Sequence, residues 1–71
     1  MNEHPVFEPL SRREREILAL LANGLNNRQI SERLLVSLST VKFHVSAIIA
    51  KLGVSNRVEA VAVAVEHNLL Q

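Results

Sequence analysis

The 71-residue chain has no cysteine, no tryptophan and no tyrosine, and only two glycines, two prolines and two phenylalanines. Each scarcity narrows the reading. Without cysteine there is neither a disulfide framework nor a thiolate metal site, and a reducing cytoplasm is compatible. Both prolines precede Leu10, which favours helices after that point. With Phe7 and Phe43 as the only aromatics, the core has to be aliphatic. No apolar run approaches the roughly 20 residues of a membrane span, and the opening residues lack a signal-peptide pattern. His4, His44 and His67 are scattered too widely to make a zinc site.

What remains is the balance of one small globular domain, 48% hydrophobic and 21% charged. Residues 1–9 hold both prolines and no periodicity, and read as a linker or tail before a domain over 10–71. From there the punctuation predicts an all-α domain of four helices, over about 12–23, 27–34, 38–52 and 56–67. Ser11 and Glu14 have capping-box spacing, with Ile17, Leu18 and Leu21 on one face of the first helix. Gly24 suits a left-handed stop. Asn26 or Asn27 can cap the second helix, which points Leu25, Ile30 and Leu34 inward. Ser37 caps the third helix and Gly53 closes it; Ser55 caps the fourth, and Asn68 suits its stop. Val61 to Val65 has strand-like composition, but a lone strand would have no partner, so helix is the better reading.

Two turns of helix, a three-residue turn at Leu35, Val36 and Ser37, and a longer helix have the geometry of a helix-turn-helix unit, whose second helix enters the DNA major groove; by geometry alone a generic pair of packed helices would read the same. A wheel of residues 38–52 supports that use. Val41, Val45, Ile48 and Leu52 form one apolar stripe for the core. The opposite face presents Ser39, Lys42, Phe43, Ser46, Ala47 and Ala50, with His44 and Lys51 on the flank. The whole helix contains no acid, as approach to phosphates requires. Between Asn26 and Arg57, five cations (Arg28, Arg33, Lys42, Lys51 and Arg57) face one acid, Glu32, so this stretch carries +4 while the rest carries −3. Catalysis has no residue set to carry it. Glu14 and Glu16 lie on different faces of one helix, and Gly24 and Gly53 are helix stops rather than a phosphate-cradling loop.

Four stretches together resemble the LuxR/NarL-type (GerE-like) helix-turn-helix domain of bacterial transcription regulators. They are Leu10 to Leu18 (LSRREREIL), Gly24 to Ser31 (GLNNRQIS), Val36 to His44 (VSLSTVKFH), and Lys51 to Val61 with its KLGV and RVEAV segments. The resemblance covers residues 10–70 without a gap. It implies sequence-specific binding of double-stranded DNA by the output domain of a cytoplasmic regulator, commonly as a dimer. It places Lys42, Phe43 and Ser46 at groove-facing positions and Asn27, Arg28, Ser37, Ser39 and Thr40 at backbone-contacting ones; Lys51 joins that DNA-facing set. Phe43 is bulkier than is usual there, and either reads a thymine methyl or covers neighbouring protein surface. Asn26 stands where serine or threonine is common and caps equally well.

Helix 4 is apolar all round, which suggests a partner. With Ala60, Val61 and Ala64 inward, Val58, Ala62 and Val65 form an outward stripe for a weak homodimer favoured on DNA. RNA polymerase, or a sensory domain in a longer protein, is a further expected partner. No cofactor or metal is implied. The alternative reading is a helical protein–protein interaction module built on the fourth helix or on the basic face.

Overall fold

The computed structural model describes residues 9–70; the tail expected over 1–9 lies almost wholly outside them, as does His4. Four helices follow in order: α1 (Arg12–Ala22), α2 (Asn27–Leu34), α3 (Leu38–Leu52) and α4 (Arg57–Glu66), with no strand among the described residues. Capping chemistry sets their starts. Ser11 Oγ accepts from the Glu14 amide at 3.0 Å, and the Glu14 carboxylate accepts from the Ser11 amide at 2.8 Å. Asn26, not Asn27, opens α2, and it does so reciprocally with Gln29. Each such pair satisfies two amides that the helix cannot.

The fourth start corrects the sequence reading. Asn56 rather than Ser55 is the cap: its Oδ1 accepts from the Glu59 amide at 2.9 Å, while the Glu59 carboxylate accepts from the Ser55 amide at 2.8 Å. The helix is therefore shorter than expected, Arg57–Glu66 rather than 56–67, and α1 also ends one residue early, at Ala22. The expected stops hold. Gly24 (φ +89°), Gly53 (φ +68°) and Asn68 (φ +58°) are all left-handed. The turn between α2 and α3 holds a surprise: Leu35 is left-handed, with φ +58° and ψ +44°, although its side chain is branched and its surface 90% exposed. Such a conformation costs an L-residue about 1–2 kcal/mol. It lets the Val36 amide reach the Ser31 carbonyl at 3.1 Å and closes α2.

α3 is the central element, packing on α1, α2 and α4, and α1 also packs on α4. The core is wholly aliphatic: Ile17, Leu18 and Leu21 from α1, Ile30 from α2, Val41, Val45, Ile48 and Leu52 from α3, and Ala60 and Ala64 from α4. Leu25, Leu34 and Val61, expected inward, pack partly buried around it. On α4 only alanines reach the centre, so that helix lies close against its neighbours. No single helix among the described residues is long and apolar enough to cross a membrane.

Candidate nucleic-acid interface

α2 and α3 meet across the turn at 113°, within the range of a helix-turn-helix pair. Burying Val41, Val45, Ile48 and Leu52 turns the opposite side of α3 to solvent. Ser39, Lys42, Phe43, Ser46 and Ala50 are exposed there, with Ala47 partly so. No residue of α3 carries negative charge. Phe43 is 70% exposed, and its ring meets His44 edge-on, the centroids 5.6 Å apart and the planes at 69°. Most of its surface is therefore in solvent. His44 is half-buried, and its Nδ1 is enclosed without a hydrogen-bond partner among the described residues.

The start of α3 gathers three of the expected residues. Ser37 Oγ accepts from the Thr40 amide at 3.1 Å and lies 2.8 Å from Thr40 Oγ1 and 3.2 Å from Ser39 Oγ. The result is a cluster of hydroxyls at the positive end of a 15-residue helix dipole, a setting that suits an anionic oxygen. At the start of α2, Arg28 is exposed, and Asn27 Oδ1 accepts from Arg57 Nη1 at 2.9 Å. This bond ties the starts of α2 and α4 together across 30 residues, and sequence reasoning missed it because neither local spacing nor periodicity encodes it.

Lys51, expected on the flank of α3, places its Nζ 2.8 Å from Glu14 Oε1 with its side chain 29% exposed. Glu14 is 5% exposed, and its carboxylate already accepts from the Ser11 amide. Burial pushes the Glu14 pKa up, but the hydrogen bond from Lys51, that from Ser11 and the Lys51 charge outweigh it and hold the pKa below the ordinary carboxylate value. A visible signal existed: Glu14 shares the i, i+3, i+4, i+7 stripe of Ile17, Leu18 and Leu21, so a carboxylate sits on the face that must be buried. Among the described residues, no group of three or more His, Cys, Asp or Glu side chains is placed to hold a metal.

The family model for bacterial regulatory proteins of the luxR family matches residues 8–64. The chain belongs to that family. It is a LuxR-type helix-turn-helix domain, the DNA-binding unit of transcription regulators. It is 52% identical over 65 residues to a probable transcriptional regulatory protein, SgaR, of Hyphomicrobium methylovorum, covering 92% of this chain and 31% of that one. It is 46% identical over 66 residues to the response regulator VraR of Staphylococcus aureus, covering 93% and 32%. The LuxR-type domain thus spans about a third of the length of these curated relatives. Among solved structures, it superposes on the transcription factor GerE with a TM-score of 0.78 at 41% identity, covering 83% of this chain and 88% of that one. On the response regulator ChrA of a heme-sensing two-component system the TM-score is 0.83 at 45% identity, covering 93% and 32%.

Proposed function

We propose that this domain binds double-stranded DNA sequence-specifically by laying α3 in the major groove, as the output unit of a longer cytoplasmic transcription regulator. One observation carries the reading: the exposed face of α3 is free of carboxylates and presents Ser39, Lys42, Phe43 and Ser46 beside the hydroxyl cluster at its start. Lys42 and the groups at the starts of α2 and α3, Asn27, Arg28, Ser37, Ser39 and Thr40, serve as phosphate contacts that set the docking. Phe43 and Ser46 face base edges. Lys51 is left out of this interface because its ammonium is held by Glu14.

On α4, Val58 is 74% and Val65 61% exposed, with Ala62 exposed between them. Two such stripes facing each other would form a two-fold pair, setting two copies of α3 in successive major grooves about 10 base pairs apart. Valine and alanine bury little area, and at about 25 cal/mol per Å² the gain barely offsets the cost of association. The pair is therefore weak in free solution and favoured by DNA carrying two half-sites. In the longer protein, RNA polymerase or a sensory domain is the further partner.

Titrating a labelled duplex pool at several salt concentrations tests the reading. With Lys51 and Arg57 tied to protein partners, Arg28, Arg33 and Lys42 are the exposed cations of the basic stretch. The slope of log K against log salt should be roughly −3 per domain. Binding that is absent, or indifferent to salt, refutes it.

A further inference from the structure

The outer face of α3 is unusual in what stands highest on it. Ser39, Ser46, Ala47 and Ala50 are short, Lys42 lies toward one edge, and Phe43 projects between them with 70% of its surface in solvent. A phenylalanine at that place is a large apolar surface left wet in the free domain. The edge-on contact with the half-buried His44 ring supports it from one side, so the phenyl is braced in its outward position rather than folded back on the protein.

The major groove offers such a ring little choice. Guanine and adenine present acceptors and donors along their edges there, and a phenyl ring over them would strip water from polar groups and return no bond. Cytosine adds only a flat C5–H; the one apolar group that projects into the groove is a methyl on pyrimidine C5. Thymine carries it, and 5-methylcytosine carries the same group at the same carbon. Given the DNA-binding reading above, on which this rests, we infer that Phe43 is a specificity-determining residue that reads a pyrimidine C5-methyl. The domain therefore distinguishes thymine from uracil, and methylated from unmethylated cytosine, at one position of each half-site. The small neighbours matter to this role: Ala47 and Ala50 let the helix lie close enough for the ring to reach the groove floor, and the Ser39 and Ser46 hydroxyls can satisfy polar edges on either side of it.

The experiment begins with a duplex selected from a random-sequence pool by this chain. Each thymine in turn is replaced by deoxyuridine, which removes only the methyl. At one position per half-site, affinity should fall about fourfold, the effect of losing burial of one methyl-sized group. At that same position a C·G pair should bind about fourfold more weakly than a 5-methylcytosine·G pair. The two arms separate the sources of the methyl. Phe43→Ala should make both ratios fall to about one while leaving helical content unchanged, because the ring is exposed, and Phe43→Leu should restore part of each. Uracil scanning that changes nothing while the selected duplex is still bound overturns the role of Phe43 alone, as does a Phe43→Ala variant that keeps the parent's methyl sensitivity. Failure to select any duplex overturns the DNA reading itself.

Discussion

The contact between Glu14 and Lys51 joins the first turn of α1 to the last turn of α3 across 37 residues, and its two partners are buried unequally. The Glu14 side chain is 6% exposed and that of Lys51 29%. Removing each in turn should therefore have unequal effects. In Lys51→Met the Glu14 carboxylate stays buried and loses its countercharge. Breaking a fully buried pair this way costs about 3–5 kcal/mol; with Lys51 partly in water, about 2–3 kcal/mol is expected. In Glu14→Gln the side-chain oxygen still accepts from the Ser11 amide, and the stranded ammonium can turn to solvent, so the loss should be nearer 1 kcal/mol. A chain of this length has a total stability of roughly 4–10 kcal/mol, so urea denaturation resolves both losses. The pH dependence supplies the sharper check. The Glu14 pKa is lowered in the folded state, so the stability it contributes is present above the unfolded value of about 4.3 and is lost as pH falls through the folded value. The gap between parent and Lys51→Met should accordingly narrow as pH drops through that window. Equal losses for the two variants, or a gap that ignores pH, would refute the assignment of the pair's energy to a buried carboxylate.

Three further outcomes are expected. Leu35→Gly should raise stability by about 0.5–1 kcal/mol in thermal unfolding: the left-handed strain of about 1–2 kcal/mol disappears, the extra flexibility of the unfolded chain takes back part of it, and the 90% exposed side chain gives up little burial; a destabilised variant would mean that Leu35 packs usefully. Lys42→Ala should weaken binding to selected and scrambled duplexes alike and make the salt slope shallower by about 0.9, and a loss confined to the selected duplex would move Lys42 from phosphate to base edge. Val58→Glu, measured by gel shift on one-site and two-site duplexes, should remove cooperativity and leave single-site affinity nearly intact, because two like charges would face each other across the paired α4 stripes; unchanged cooperativity would exclude that seam.

Much of the fold was legible because its determinants are local. Ser11 with Glu14, and Ser37, each announce a helix start within four residues, Asn26 and Asn27 together announce another, and Gly24, Gly53 and Asn68 announce ends. The apolar stripe of α3 is fixed by spacing alone, and so is the outward direction of Ser39, Phe43 and Ser46. At the start of α4 two cap-competent residues stand side by side, and the choice falls on Asn56 because Glu59 lies three residues after it and turns its carboxylate back to the Ser55 amide. Leu35 was not legible: leucine is a poor left-handed residue, and only the closing geometry between α2 and α3 imposes that conformation.

The charges show most clearly where sequence reasoning loses resolution. Absence of acid from α3 is a local fact and survives folding unchanged. An excess of cations is not local, because each cation can be used by any partner the fold brings near. Five cations fall between Asn26 and Arg57. Folding assigns Lys51 to Glu14 and directs Arg57 to Asn27, and both contacts span 30 residues or more. A count of basic residues therefore bounds the number of phosphates a small domain can neutralise but does not give it. The number that reaches DNA from this stretch is what remains after the fold has claimed its own, and here Arg28, Arg33 and Lys42 are the exposed ones. A salt slope near −5 rather than −3 per domain would mean that cations beyond these three reach phosphate, from the exposed Arg12, Arg13 and Arg15 of α1, from Arg57, whose bond to a neutral amide leaves its charge intact, or from Lys51 at the cost of an uncompensated carboxylate at Glu14.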